Sequence, residues 1–258
     1  MPAEERRRSG RLRDALRGRL GAWGKLPEVL LFPSSCELCH SFLERPGERV
    51  ICRSCREKLR PSGEAFCPSC GRFFDGAGEP HLCLECLDHR PPFARHRSCA
   101  RYSGAVKDMI LLFKYHGFEI LGLDLGDFLC RSLAAEDDLW LGLDAVIPVP
   151  LHRKKLKMRG FNQAEVLAAR IARTRKIELL NRRLVKIRNT PPQTTLEGRE
   201  RDQNVRGAYR VRRAGNLEGR TVLLVDDVYT TGSTIRECSR MLKQAGVTEV
   251  RAVTLARA

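Results

Sequence analysis

Residues Thr221 to Val225 read Thr-Val-Leu-Leu-Val and run directly into Asp226 and Asp227, a junction that restricts the possible folds more than any other stretch of the chain. Four consecutive apolar residues suit a strand buried on both faces, the condition of an interior strand in a parallel sheet. Beyond the acids come Val228 and Tyr229, then Thr230-Thr231-Gly232-Ser233-Thr234, then a pattern in which Ile235, Cys238, Met241 and Leu242 share one helical face. The succession is strand, loop, helix. In open parallel sheets, ligands sit at the carboxyl ends of strands, where a helix N-terminus offers unpaired N–H groups and a positive dipole end to an anion. Thr230, Thr231, Ser233 and Thr234 add hydroxyl donors at that point, and Gly232 lets the backbone approach closely. A phosphate fits that loop. Asp226 and Asp227 would repel a phosphate and suit vicinal hydroxyls instead, because a carboxylate only accepts. The segment therefore reads as a sugar-phosphate site.

Every position from Val222 to Thr234 also resembles the phosphoribosyl pyrophosphate (PRPP) signature of the type I phosphoribosyltransferases: four apolar residues, two acids, two mostly apolar positions, then a Thr/Ser/Gly loop. The resemblance implies that Asp226 and Asp227 hold the ribose hydroxyls and act as the catalytic carboxylates. It implies that Thr230, Thr231, Gly232, Ser233 and Thr234 bind the 5′-phosphate. The fold it implies is α/β, an open and mostly parallel sheet of type I phosphoribosyltransferase kind.

At 258 residues the chain accommodates one α/β domain and a smaller module, and a hydrophobic content of 42% supplies a core. The formal charge of +16 is concentrated between residues 145 and 220, where 20 Lys and Arg stand against 6 Asp and Glu. Such a field suits polyanions, among them PRPP, pyrophosphate and nucleic acid. Residues 1–34 are Arg-rich. Leu12, Leu16, Leu20 and Trp23 recur there at helical spacing among Arg11, Arg13, Arg17 and Arg19, as in an amphipathic helix or a loosely ordered tail. No secretory signal and no membrane-spanning stretch is present, so a cytoplasmic protein is expected.

Residues 35–92 form a cysteine module. Cys36 and Cys39 are followed after twelve residues by Cys52 and Cys55, and Cys67 and Cys70 after twelve residues by Cys83 and Cys86, so the whole set repeats at an offset of 31. A C-x-x-C pair grips one side of a tetrahedral Zn²⁺ and a second pair closes the shell. Units this short bury little apolar surface, so metal binding provides much of their folding free energy. Disulfides would need an oxidising compartment, and a thioredoxin-like centre would need one C-x-x-C beside a βαβ unit rather than four in tandem. An iron–sulfur cluster uses the same thiolates, but two closed sets of four favour structural zinc. Interleaved pairing of the two units stays open at this stage. His40, His81 and His89 lie close enough to substitute as ligands, although eight cysteines already fill two sites. Cys99, Cys130 and Cys238 are isolated and read as core residues.

From residue 93 onward the pattern is that of the sheet domain. Ser98 to Tyr102 reads as a strand, Val106 to Tyr115 and Phe118 to Leu133 as helices, and Ala145 to Pro150 as a strand halted by two prolines. A cis bond before Pro150 is chemically accessible, with trans the default. Behind it a basic loop carries His152, Arg153, Lys154, Lys155, Lys157 and Arg159, with five Lys or Arg in seven positions. That density suits a pyrophosphate, with Lys155 and Lys157 reading more simply as solvated. The helix Ile235 to Gln244 and a strand Glu249 to Leu255 close the chain.

The run from Pro148-Val149-Pro150 through the basic loop to Arg159-Gly160-Phe161-Asn162-Gln163, together with the segments Arg188 to Leu196 and Arg201 to Tyr209, resembles the ComF family. Its bacterial members join a cysteine zinc ribbon to a phosphoribosyltransferase-like domain. The likeness covers roughly residues 35 to 258, and departs from the family pattern in carrying two four-cysteine units where many members have one. By resemblance, Arg188 to Gly207 is the mobile loop that closes over PRPP, Arg199 and Arg201 reach the pyrophosphate, and Pro150, His152, Arg153, Lys154 and Arg159 line the same place.

The chemistry this implies is loss of pyrophosphate from C1 of the ribose, aided by Mg²⁺ and fixed positive groups, and attack by a nitrogen nucleophile. A second function class is a non-catalytic accessory protein that binds single-stranded DNA and meets DNA-uptake proteins, as the association of the family with natural transformation implies. Aromatic residues at only 6% of the chain argue against an extended stacking platform. Elemental analysis of the purified full chain is expected to find two equivalents of zinc and no iron; iron, or a single metal, would contradict the reading of the cysteine units.

Overall fold

The computed structural model describes residues 35–44, 48–63, 65–76, 78–190 and 205–258. Contacts divide the chain into two compact units, one ending at Glu57 and the other running from Lys58 to Ala258. The amphipathic pattern from Leu12 to Trp23, and Arg199 and Arg201, fall outside the described residues.

Among the described residues, the first unit contains Cys36 to Cys55 and the short helix α1 (Arg53–Glu57). The second begins with the other four-cysteine unit and its own helix, α2 (Leu84–Asp88). The offset of 31 holds for the backbone as well as the cysteines. Bridges join Ser35 to Phe42 and Phe66 to Phe73. The amides of Cys36 and Cys67 donate to the carbonyls of Ser41 and Arg72, and those of His40 and Gly71 to Cys36 and Cys67.

Beyond the second cysteine unit, β1 (Arg95–Arg101) leads into α3 (Gly104–Tyr115), α4 (Leu121–Ser132) and the short α5 (Asp137–Trp140). Then follow β2 (Ala145–Pro148), α6 (Arg153–Arg159), α7 (Gln163–Arg175) and β3 (Glu178–Leu179). A two-stranded antiparallel ribbon of β4 (Leu184–Lys186) and β5 (Tyr209–Val211) precedes β6 (Thr221–Tyr229), α8 (Ser233–Gln244) and β7 (Glu249–Arg257). The main sheet has the order β1-β7-β6-β2-β3, and each pairing is parallel. This is the open parallel α/β sheet that the apolar run at Val222 demanded.

Strand β6 lies at the centre, and Val222 to Val225 are fully buried. Side chains alternate across a strand, so Val222 and Leu224 share one cluster with Ile235, Cys238 and Leu242 of α8, while Leu223 and Val225 point to the other face. Helix α7 packs on β2 and β6, and α8 on β5, β6 and β7. Helix α4 closes onto α7 because Gly122 and Gly126 leave room: a Cβ would sit 2.3 Å from Val166 at the first and 2.7 Å from Arg170 at the second.

The structure departs from the sequence expectation in four places. The segment Arg153 to Arg159 is a helix rather than a loop, since Lys, Arg, Leu and Met are good helix formers and the His152 ring accepts the Lys154 amide at its start. Strand β1 begins at Arg95, three residues before Ser98, because the ends of its basic side chains are paired. Helix α7 and the β4–β5 ribbon are additional elements. Strand β6 continues through both aspartates to Tyr229 instead of ending before them. The peptide before Pro150 is trans, and among the described residues no helix is long and apolar enough to cross a membrane.

Leu224 is buried in the central strand between α8 and the flanking strands, so Leu224→Ala is expected to cost about 3 kcal/mol in urea unfolding. A cost below about 1 kcal/mol would contradict the central position of β6.

Candidate functional site

The ends of β2 and β6 lie side by side, with Pro148 opposite Val225 and the Val149 amide donating to the Val225 carbonyl at 2.9 Å. The aspartates and the segment from Pro150 to Arg159 therefore leave the sheet at the same edge. Because β6 stays extended through Asp226 and Asp227, the two carboxylates point to opposite faces of the sheet. Asp227 pairs with a lysine, and Asp226 lies in the field of two.

Asp227, 8% exposed, receives Lys114 of α3 at 2.7 Å between Nζ and Oδ1. Burial alone would lower the Lys114 ammonium, but the charges of Asp227 and Asp226 outweigh it and hold the group above its ordinary value. Asp226 accepts the Asp227 amide at 2.9 Å. Its carboxyl is raised to about 7, first by the protein packed around it and then by the neighbouring Asp227 charge. On its side lies Lys186 of β4, lowered to about 8 by burial and by Lys155, with Asp226 pulling the other way. The Lys186 ammonium stands 5.2 Å over the Tyr209 ring.

The turn Thr230 to Gly232 then delivers the chain to α8. Gly232 caps the helix at φ 77°, and a Cβ there would sit 2.0 Å from the Tyr229 hydroxyl, so both the backbone and the space require glycine. Hydroxyls of Thr231 and Ser233 lie 2.7 Å apart. The Arg236 guanidinium donates to the Thr231 carbonyl at 2.5 Å and pairs with Glu85 of α2 at 3.1 Å. No acid occupies the first turn of α8, so no side-chain negative charge from that turn offsets the positive end of its dipole. A cavity of about 560 Å³ borders this turn, with Ser233, Arg236, Glu237 and Arg240 on one side and Cys70, Glu85 and Cys86 of the second cysteine unit on another.

Beneath the turn, Tyr229 packs against His96 at 4.2 Å between centroids and lies 4.3 Å under the Arg257 guanidinium. His96 is fully buried, which pulls its ring down to about 3 and keeps it neutral. Its Nδ1 lies 2.9 Å from the Cys70 carbonyl, which can only accept, so Nδ1 carries the proton and Nε2 accepts from Thr254 at 3.1 Å. Arg257 donates to the same Cys70 carbonyl at 2.6 Å.

Of the basic residues near β2, Arg153 and Lys154 are exposed on α6, and His152 caps that helix. Arg159 donates to Gln163 at 3.0 Å and lies 5.1 Å over Tyr115. Lys155, expected to be solvated, is half-buried and electrostatically coupled to Lys186. Lys114 and Lys186 were not singled out from the sequence. Lys114 carries a readable signal, since Val106, Ile110 and Lys114 fall at successive fourth positions and put a cation on the buried stripe of α3.

Cys36, Cys39, Cys52 and Cys55 form one cluster and Cys67, Cys70, Cys83 and Cys86 the other, with the sulfurs of each within 4.8 Å of one another. Pairing is thus sequential rather than interleaved. Cys39 and Cys52 stand 3.6 Å apart and Cys70 and Cys83 3.7 Å, near the edge of about 3.8 Å for a tetrahedron with Zn–S bonds of about 2.3 Å. The amides of Cys52 and Cys83 donate to the Cys36 and Cys67 sulfurs at 3.4 Å each. The donor sets fit zinc. Among the described residues no histidine joins either cluster; His81 stacks on Phe74 instead.

A Phosphoribosyl transferase domain model matches residues 156–258, and a Double zinc ribbon domain model matches residues 29–87. The chain is 31% identical over 232 residues to the DNA utilization protein YhgH of Shigella flexneri, covering 89% of this chain and 99% of that one. Competence protein F of Haemophilus influenzae is 30% identical over 212 residues, covering 81% and 90%. Among solved structures, the glutamine phosphoribosylpyrophosphate amidotransferase of B. subtilis is 27% identical and aligns with a TM-score of 0.35, covering 52% of this chain and 25% of that one.

Lys114→Ala leaves Asp227 charged and largely buried beside Asp226, and is expected to lower stability by about 3 kcal/mol. Adding Asp227→Asn should recover part of that loss. Losses in Lys114→Ala and Asp227→Asn that simply add in the double variant would show that the two groups are not coupled.

Proposed function

This chain belongs to the ComF family, and from that premise we propose that it binds PRPP between Asp226 and Thr234 and transfers the phosphoribosyl group to a nitrogen acceptor with release of pyrophosphate, in a role linked to DNA uptake. The observation that carries the reading is a pair of adjacent carboxylates in β6, one of them paired with Lys114, directly before a glycine-capped helix start. In this reading the carboxylates of Asp226 and Asp227 are the acceptors for the ribose hydroxyls. Lys114 fixes the Asp227 rotamer without using up its acceptor capacity, since a carboxylate accepts several donors. The hydroxyls and backbone N–H groups of Thr230 to Thr234 hold the 5′-phosphate at the α8 dipole.

Pyrophosphate would leave toward the edge where Pro150, His152, Arg153, Lys154 and Arg159 follow β2, with Arg199 and Arg201 from the segment joining β4 to β5. Fixed positive charge there stabilises the leaving group as its charge develops. Mg²⁺, bound with PRPP, would supply further neutralisation of the pyrophosphate oxygens. The two zinc sites have closed thiolate shells and a structural role. Eight thiols kept for metal suit a reducing compartment, in keeping with a cytoplasmic location. Similarity to proteins named for DNA utilization and for competence supports a DNA-related role, and with it a second reading in which the domain binds PRPP or phosphate and handles single-stranded DNA without catalysing transfer.

Pyrophosphate release from PRPP with Mg²⁺, measured on zinc-loaded protein against purines, pyrimidines and amines, separates the two. Release with one acceptor that disappears in Asp227→Asn is expected for a transferase. PRPP binding without release for any acceptor would support the second reading, and unchanged PRPP affinity in both Asp226→Asn and Asp227→Asn would remove the site assignment.

The neighbours of Asp226 also fix a pH profile. The charges that act on Asp226 are those of Asp227, Lys114 and Lys186, with Tyr209 and Cys238, whose hydroxyl and thiol are raised by burial, nearby, and Asp227 and Lys114 stay paired. PRPP affinity is expected to rise with pH through about 7 as Asp226 ionises, and to fall above about 8 as Lys186 loses its charge. Asp226→Asn should abolish the acid limb and Lys186→Met the alkaline limb; an affinity flat from pH 6 to 9 would contradict these assignments.

A further inference from the structure

The second cysteine cluster and the phosphate loop touch by two routes that share no side chain. In the first, the carbonyl of the metal-knuckle residue Cys70 accepts from His96 at 2.9 Å and from Arg257 at 2.6 Å, and both of these pack on the Tyr229 ring. That ring lies so close under Gly232 that not even a methyl group fits between them. In the second, Arg236 joins Glu85, which sits beside the ligand Cys86 in α2, to the carbonyl of Thr231 in the loop. The knuckle itself is seated on the sheet domain: the His96 amide donates to the Ser69 carbonyl at 2.8 Å, and a Cβ on Gly71 would sit 2.7 Å from the His96 carbonyl.

We infer that metal at the second cluster and a sugar phosphate at the loop are thermodynamically linked, with His96, Arg257, Tyr229 and Arg236 as the positioning residues that carry the coupling. The chemical reason is that the Cys67–Cys70 knuckle takes its shape from the metal shell. With the shell closed, the Cys70 carbonyl and Glu85 hold Tyr229 and Arg236 where the Thr231–Gly232 turn needs them. With the shell open, both anchors lose their seat, and the loop must pay its own ordering entropy when a phosphate arrives. Coupling free energies are reciprocal, so a ligand that orders the loop must in turn retain the metal. The ligand side of this linkage rests on the PRPP reading given above; the contact chain does not.

Two measurements on the full chain decide it. Hydrogen exchange of the amides from Val228 to Arg236 is compared between the zinc-loaded protein and Cys83→Ser, with β2 (Ala145–Pro148) as the control for global folding. Exchange in the loop is expected to speed up on the order of fivefold or more while β2 stays protected. Tyr229→Leu combined with Glu85→Gln, made in the zinc-loaded chain, should give the same loop exchange with metal still bound, and Tyr229→Phe, which keeps the ring, should resemble the parent. Separately, chelator-driven zinc release from the second cluster should slow by a similar factor when PRPP with Mg²⁺ is added, and the first cluster, in the other compact unit, serves as the reference. Unchanged loop exchange in both Cys83→Ser and the double variant would overturn the linkage whatever PRPP does. PRPP that binds by calorimetry but leaves zinc release unaltered would likewise overturn it. Altered loop exchange with no PRPP binding would sustain the linkage and refute PRPP as the ligand.

Discussion

Two adjacent carboxylates at the end of a fully buried strand are costly, since each loses hydration and each repels the other, and the surrounding structure is arranged to offset that cost. The extended backbone of β6 separates the charges to opposite faces of the sheet. Helix α3 then brings Lys114 to one face, at the end of an otherwise apolar stripe, and β4 brings Lys186 to the other. What burial leaves uncompensated appears as a carboxyl raised to about 7 at Asp226. A strand of this kind without those lysines would be expected to end before its acids. With them it continues to Tyr229, and that extra length sets Tyr229 under the turn where Gly232 begins α8.

The parts of the fold legible in the sequence are those whose partners are apolar and local. The strand from Val222, the helix from Ile235 and the helices following Ser103 and Phe118 could be found because periodic burial marks them. Strand β1 was read from Ser98 and not from Arg95 because Arg95, His96 and Arg97 look like surface residues. Their ends are satisfied by Asp138, by Cys70 and Thr254, and by Glu136 and Pro68. No local pattern announces such partners, since they come from the cysteine unit, from α5 and its approach, and from β7. Helix α7 does carry an apolar face at Ala164, Leu167, Ala168, Ile171 and Ala172, but alanines and interspersed arginines make that face faint beside the motif that precedes it.

At the site, the aspartates and hydroxyl loop were legible because they are contiguous, whereas the lysines were not because each arrives from a different element. Counting charges on buried stripes would have recovered Lys114: a cation in line with Val106 and Ile110 needs an anion from elsewhere in the fold. Lys186 offers no such clue. The basic segment after Pro150 was read as a loop following a strand, and its helical form reflects intrinsic propensity and the His152 cap.

The two cysteine units hold the same hydrogen bonds at the same offset, yet the residue that turns each knuckle differs. His40 and Gly71 both adopt left-handed conformations, at φ 60° and 66°. The turn can therefore be made with a side chain, at some conformational cost, and what forbids one at Gly71 is the carbonyl of His96. After a duplication, then, the ligands record common ancestry, while the knuckle residue records the neighbour each copy acquired. Copy number alone would suggest a redundant pair; the glycine marks the copy whose knuckle is packed so closely on β1 that it has no room for a side chain.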